Sequence, residues 1–320
     1  MFDFVGVIIL VVLVVLFGFL TRRAWGSKRK ILKWVGLILA GLLTLIFALV
    51  LVVVLIGFSK LNASQNNPVA SVKVAGTPDQ LARGGKLAAG CAGCHSSAHH
   101  PPLDGGADNF LAGGLPLGAV YAPNLTPGGE LNSWSDGEII RAIREGVDKT
   151  GRPLLIMPSA GLRNLSDADA QAIVAYLRSQ PAVKHDVPEP SMTVVGALFV
   201  GAGMFQTSAQ PPITQPVVAP PAGVTADYGK YLVSFSGCAD CHGENLAGGK
   251  PGGFAPVGPN LTKIGSKWSE TDFVKALRTG VKPDSKAFAL EMPWQEFSAM
   301  YSDDELKAIF AYFKSLPPIQ

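Results

Sequence analysis

Cysteine and histidine are spaced for chemistry at two places, Cys91-Ala-Gly-Cys94-His95 and Cys238-Ala-Asp-Cys241-His242. Two thiols three positions apart can each form a thioether to one vinyl group of a porphyrin. The adjacent His is then delivered to the iron as an axial ligand. The chain has four cysteines, and the two motifs use all of them. Other readings compete. A disulfide within each pair suits an extracytoplasmic setting but leaves the His unexplained. A zinc site wants four ligands, and each motif supplies three at most. A redox dithiol wants a thioredoxin-like βαβ context, which is absent around both motifs. The expected chemistry is therefore two covalently attached haem c groups, at Cys91/Cys94 and Cys238/Cys241, with His95 and His242 on the irons.

A second axial ligand is sought downstream, and an internal repeat nominates it. Each motif is followed by Pro-Asn-Leu-Thr (123–126 and 259–262), Trp-Ser (134–135 and 268–269), Gly-Val (146–147 and 280–281) and Met-Pro (157–158 and 292–293). From Pro to Met is 34 residues in one copy and 33 in the other; from His to Pro is 28 and 17, so the first copy carries 11 extra residues within Ser96–Ala122. Met157 and Met292 thus fall at matched positions, and a thioether opposite His favours ferrous iron and raises its potential. Met300, His99, His100 and His185 compete less well. Met300 has no counterpart in the first copy, the histidine pair sits too close to His95, and His185 lies outside the repeat. A ligating His usually donates its other N–H to a carbonyl, and Pro123 and Pro259 are placed to present one. Trp134 and Trp268 are candidates for packing beside a haem propionate, or equally for plain core packing.

The elements that position these residues read as helices. Ser135-x-x-Glu138, Ser166-x-x-Asp169, Ser269-x-x-Asp272 and Ser302-x-x-Glu305 are capping-box patterns, each expected to open a helix of about 12–14 residues. In the last helix of each copy apolar residues recur at helical spacing, Ala170, Ile173, Val174, Leu177 and Leu306, Ile309, Phe310, Phe313. Gly146 and Gly280 are expected to end the middle helices.

Composition places the rest. Phe4–Leu20 and Val35–Phe58 hold no charge over 17 and 24 residues, against about 20 needed to cross a bilayer as a helix. Between them Thr21–Trp34 carries six cations and no acid, the signature of a cytoplasmic loop. The first run lacks a cationic leader region and a cleavage site, so it reads as an anchor rather than a signal peptide. Seven of the 27 Lys and Arg and one of the 24 acids fall in residues 1–60, leaving residues 61–320 at −3. That charge gives no sign of nucleic-acid binding. The expected layout is a transmembrane hairpin (1–60), a polar tether (61–77), a first haem domain (78–183), a Pro-rich joint with an apolar island at Met192–Phe205 (184–224), and a second haem domain (225–320).

The motif order, from Cys-x-x-Cys-His through Pro-Asn-Leu-Thr, Trp-Ser, Gly-Val and Met-Pro to a final helix, resembles the class I cytochrome c domain, twice over. The run from Asn124 through Trp134-Ser-Asp-Gly-Glu to Asp148 is similar to membrane cytochrome subunits of bacterial alcohol and aldehyde dehydrogenases. The overall layout also resembles the dihaem subunit of cbb-type oxidases. The resemblance implies an all-α fold, axial pairs His95/Met157 and His242/Met292, and an electron carrier rather than an enzyme. The expected function is that of a dihaem subunit of a respiratory or photosynthetic complex, held in the inner membrane by two helices. Both termini and both haem domains would lie on the periplasmic side, and the partners would be other subunits and a soluble or membrane redox protein. A free-standing membrane-tethered shuttle and a dihaem enzyme such as a peroxidase are the alternatives.

Overall fold

A computed structural model describes residues 3–249 and 256–319. Residues 1–2 and 320, the ends of the first and last expected segments, lie outside the described residues, as do 250–255 within the second haem domain. Two long helices come first, α1 (Phe4–Trp25) and α2 (Lys30–Asn62). They run antiparallel, with Phe17 stacked on Phe47 at 5.5 Å between ring centroids and the Thr21 and Thr44 hydroxyls 3.4 Å apart. Both are long and apolar enough to cross a membrane. They are apolar on every face and mostly uncovered by protein, the pattern of a helix that lipid surrounds. The expected basic loop is shorter than its charges indicated. Arg22 and Arg23 continue α1, and Lys30 and Lys33 already belong to α2. Lys and Arg are good helix formers, so they extend both helices rather than break them.

The first haem domain is α3 (Pro78–Ala88), α4 (Ala92–His95), α5 (Asp136–Glu145), α6 (Ser159–Leu162) and α7 (Asp167–Ser179). After a joint containing α8 (Val194–Gly201), the second repeats it as α9 (Ala226–Phe235), α10 (Cys238–His242), α11 (Ile264–Lys267), α12 (Glu270–Thr279), α13 (Trp294–Met300) and α14 (Asp303–Ser315). The caps explain the starts. Ser135, Ser269 and Ser302 form reciprocal capping boxes with Glu138, Asp272 and Glu305. Ser166 accepts from the Asp169 backbone, but the Asp169 carboxylate does not return the bond. It is engaged by Arg83 and Tyr231 instead. Gly146 and Gly280 end α5 and α12 in the left-handed conformation (φ 65° and 72°), after ten residues each rather than the 12–14 expected.

In each domain the first and last helices cross at a glycine. A Cβ on Gly84 would overlap the carbonyl oxygen of Ala172, and one on Gly229 that of Ala308. The two domains share one continuous hydrophobic core, from Leu87 and Ile173 to Leu232 and Phe310. A polar lock crosses their junction. Arg83 on α3 bonds Asp169 on α7 at 2.8 and 2.9 Å and Glu305 on α14 at 2.5 Å. The hydroxyls of Tyr231 and Tyr228, both on α9, donate to Asp169 and Glu305 at 2.6 and 3.3 Å.

The tether and the joint are not free spacers. The Glu145 carboxylate accepts from Asn67 of the tether at 2.5 Å and from the Ile213 N–H of the joint at 2.9 Å. Arg141 donates to the Asn67 carbonyl at 3.0 Å, so both segments are strapped along α5. A second apolar cluster joins the hairpin to the joint and to the first domain's insertion: Val54, Phe58 and Leu61 of α2, with Val7 and Leu10 of α1 packed alongside, meet Leu111 and Val120 of the insertion and Met192, Ala197 and Val200 of the joint.

Candidate haem-binding sites

The repeat places its chemistry on equivalent backbone. His95 ends α4 and His242 ends α10; both are buried. His95 Nδ1 lies 2.9 Å from the Pro123 carbonyl oxygen and His242 Nδ1 lies 2.6 Å from that of Pro259. A carbonyl only accepts, so each Nδ1 carries the proton and each Nε2 keeps a lone pair for a metal. Burial lowers both imidazole pKa values, with the carbonyl bond acting in the opposite sense, which favours the neutral ligating form.

The Pro-Asn-Leu-Thr loops that present these carbonyls are held by their asparagines. Asn124 Oδ1 accepts from Thr126 N–H and Oγ1 at 2.9 and 2.7 Å, and its Nδ2 donates to the Val183 carbonyl at 2.8 Å. Asn260 repeats all three bonds, with Ile319 in place of Val183, at 2.9, 2.7 and 2.8 Å. The chain beyond each final helix therefore fixes the loop that orients the histidine. Replacing Asn124 by Ala leaves buried donors and acceptors unpaired, at about 1–3 kcal/mol. Denaturant unfolding of the holoprotein should show that loss, and Asn124→Asp, which keeps only the acceptor, should lie between.

Cys91, Cys94, His95 and Met157 line one cavity of about 350 Å³. Its lining is overwhelmingly apolar, with Leu125, Leu131, Ile143 and Leu165 among its walls. Trp134 is buried there, and its Nε1 has no hydrogen-bond partner among the described residues. An apolar slot with two thiols, an oriented imidazole, a thioether and one orphaned N–H fits a haem, to which the Trp134 N–H would be free to donate. Trp268, at the matched position, is half-buried against the core of the second domain. The cysteines are free, and burial pushes the Cys91 and Cys238 thiols up to about 12. That is the opposite of what a dithiol nucleophile needs.

Met157 and Met292 occupy the same turn. The following prolines have φ −79°, ψ 48° and φ −80°, ψ 55°, and each Met carbonyl accepts from the N–H two residues on, at 2.8 Å. Ile156 precedes Met157 at φ 67°, a conformation that costs a β-branched residue roughly 1–3 kcal/mol and clusters at functional sites. His100 Nδ1 faces the Pro101 carbonyl at 2.9 Å and His185 Nδ1 the Asp104 carbonyl at 2.8 Å. Neither His99 nor His100 lines the cavity.

The second domain supplies part of the first cavity, which motif spacing offers no means of anticipating. Phe235, Ser236, Gly237 and Asp240, around the second attachment motif, line it together with Glu296, Phe297 and Met300. A Cβ on Gly93 would overlap the Glu296 carboxylate, so that acid lies on the first Cys-Ala-Gly-Cys segment. Burial raises its pKa. The 11 extra residues also split in two. Matched bonds, Leu125 N–H to Leu103 O and Leu261 N–H to Leu246 O, leave four between His95 and Leu103 and seven between there and Pro123. The seven carry β1 (Gly118–Ala119), which pairs antiparallel with β2 (Ser191–Met192) of the joint.

Two attachment motifs, two oriented imidazoles and two repeated helical frames define a c-type cytochrome with two covalent haem c groups. Residues 226–317 match the family described as cytochrome c, and residues 80–177 match cytochrome c oxidase, cbb3-type, subunit III. Among curated proteins the chain is 32% identical over 270 residues to a nicotinate dehydrogenase subunit of Pseudomonas putida, covering 74% of this chain and 21% of that one. It is 29% identical over 259 residues to the cytochrome c subunit of a quinone alcohol dehydrogenase of Gluconobacter oxydans, covering 72% and 52%. With a diheme cytochrome c-type protein of Cereibacter sphaeroides it shares 26% over 271 residues, covering 77% and 89%. The chain thus spans about a fifth of the first relative and about half of the second.

Proposed function

We propose that this chain is the electron-transfer subunit of a membrane-bound redox complex. It is anchored by α1 and α2, with their basic connection on the cytoplasmic side and both haem domains on the outer side. The observation that carries the reading is the duplication itself: two sites with the same oriented imidazole and the same Met-Pro turn, on domains sharing one core. His95 and Met157 are the axial pair of the first site, His242 and Met292 that of the second, and Pro123 and Pro259 hold the imidazoles. The domains are taken as 78–183 and 225–320. When bound, haem c supplies one-electron exchange between ferric and ferrous iron. The protein's part is to hold an imidazole by its Nδ1–H, offer a thioether, exclude water with an apolar wall and fix the two sites against each other. Two protein ligands per iron leave no position for a substrate, which favours a carrier over an enzyme.

The dehydrogenase subunits among the relatives support a partner that oxidises a small organic substrate. The cleanest test is purification from membranes in mild detergent, followed by native electrophoresis and haem staining. Haem migrating with a larger assembly that contains a dehydrogenase or oxidase subunit is the expected result. Migration at the mass of the chain alone supports the free-standing shuttle instead.

Glu296 offers a finer test of the site. Its carboxylate lies beside the first attachment segment and stabilises the more positive, ferric state. Glu296→Gln should raise the midpoint potential of the first haem. Charges roughly 10–15 Å apart at an effective dielectric of about 20 interact by about 1–2 kcal/mol, so the shift is on the order of tens of millivolts. Optical redox titration reads it.

A further inference from the structure

Among the described residues, none of the island Met192–Phe205 lines the first cavity. Its helix α8 lies across the outer end of the hairpin, and the close approach is backbone to backbone. A Cβ on Gly57 of α2 would overlap the Ala197 carbonyl of α8, and one on Gly201 of α8 would overlap the Val53 carbonyl of α2. Small residues at such crossings are what packed helices in lipid use. Polar groups bracket α8 in the sense its dipole favours. Asp3, which caps α1 through Gly6 N–H at 2.9 Å, also accepts from Val194 N–H at 3.2 Å. Lys60 donates to the Val200 and Gly201 carbonyls, both at 3.4 Å.

The depth of α8 follows from the register. Val53 and Gly57 precede Lys60 by seven and three residues, which at about 1.5 Å per residue is about 5–10 Å toward the membrane interior. Helices that lie in a membrane surface are buried about that deep. Charge patterning agrees. Residues 190–226 and 109–129 contain no charged side chain, and these are the two segments joined by the β1–β2 pairing. Met204 and Leu115, one on each, are 64% and 50% exposed.

We propose that α8 and the Phe110–Leu117 loop form an interfacial platform embedded in the outer leaflet, with lipid acyl chains as its occupant. Continuity with the lipid-facing surface of α1 and α2 selects lipid over a protein partner. Phe110, Val120 and Tyr121 of the same insertion line the first cavity. The platform therefore sets the first haem at the membrane surface, leaving the second as the site reached through the domain junction.

The inference rests on the membrane-spanning reading of α1 and α2, and its test separates the two. In the full-length holoprotein all native cysteines are thioethers, so a single introduced cysteine takes a nitroxide label alone. Met204→Cys and Leu115→Cys would be reconstituted in phosphatidylcholine liposomes, beside Val12→Cys as the lipid standard and Thr150→Cys as the water standard. Oxygen and a water-soluble nickel chelate would then compete for the label in electron paramagnetic resonance. The platform predicts an oxygen-to-nickel accessibility ratio at Met204 and Leu115 several-fold above that at Thr150 and approaching that at Val12. Aqueous ratios at both positions with a lipid ratio at Val12 overturn the platform alone. Protection from both reagents in native membranes, with aqueous ratios in liposomes, assigns the surface to a partner subunit and also overturns it. An aqueous ratio at Val12 overturns the anchoring itself.

Discussion

With His95 and Met157 as the proposed axial pair, Met157→His is expected to lower the midpoint potential of the first haem by a sizeable fraction of the about 0.8 V over which axial ligands set haem potentials. The second haem keeps its own. A thioether is a weak donor that favours ferrous iron, whereas imidazole stabilises the ferric state. The substitution is local because the Met-Pro turn is held by its own backbone: Pro158 and the Ser159 N–H to Met157 carbonyl bond survive the exchange. Ile156, strained at φ 67°, already commits the chain to aim residue 157 into the cavity that His95 also lines. Because the two sites are built alike, the second haem is an internal control in the same cuvette. Met292→His should give the mirror result. A first-haem potential unmoved by Met157→His removes Met157 from the iron and reopens the choice of sixth ligand.

Arg83→Met should uncouple the unfolding of the two domains. The guanidinium is shared between Asp169 and Glu305, whose side chains are 12% and 10% exposed, and is itself 22% exposed. Taking away one partner of a buried ion pair costs about 3–5 kcal/mol, because the remaining charge is stranded. Here two carboxylates are stranded, but the Tyr231 and Tyr228 hydroxyls still donate to them and solvent reaches the junction. The loss should fall toward the lower end of that range. The matched methylene stem of Met retains the packing, so the missing charge is what the variant reports. Denaturant unfolding followed at the haem absorption bands should turn one transition into two, with Arg83→Lys recovering part of the stability. An unchanged single transition means that the shared apolar core, not the lock, couples the domains.

How much of this was legible beforehand depends on distance along the chain. The capping serines, the terminating Gly146 and Gly280 and the apolar stripes of α7 and α14 are local signals, because a helix start or stop is decided within about one turn. The middle helices came out shorter than expected because Gly146 and Gly280 stop them after ten residues. The reciprocal box failed only at Ser166, where Asp169 is drawn off by Arg83 and Tyr231, residues 86 and 62 positions away. No local pattern encodes that competition. The same holds for the tether and the joint. Their composition reads as spacer, yet Glu145 pins both to α5.

Covalent spacing is enough to set the chemistry at each site. Cys91, Cys94, His95 and Cys238, Cys241, His242 state it outright, and the repeat nominated Met157 and Met292 because two copies of one domain must place their ligands alike. How the sites are set against each other is a matter of packing in three dimensions. Glu296, Phe235 and Met300 reach the first cavity from the second domain, Arg83 bridges Asp169 to Glu305, and α8 rests on the hairpin. These are contacts between surfaces far apart in the chain. They are fixed by which apolar faces remain to be buried once each element has formed, and neither spacing nor periodicity records that choice.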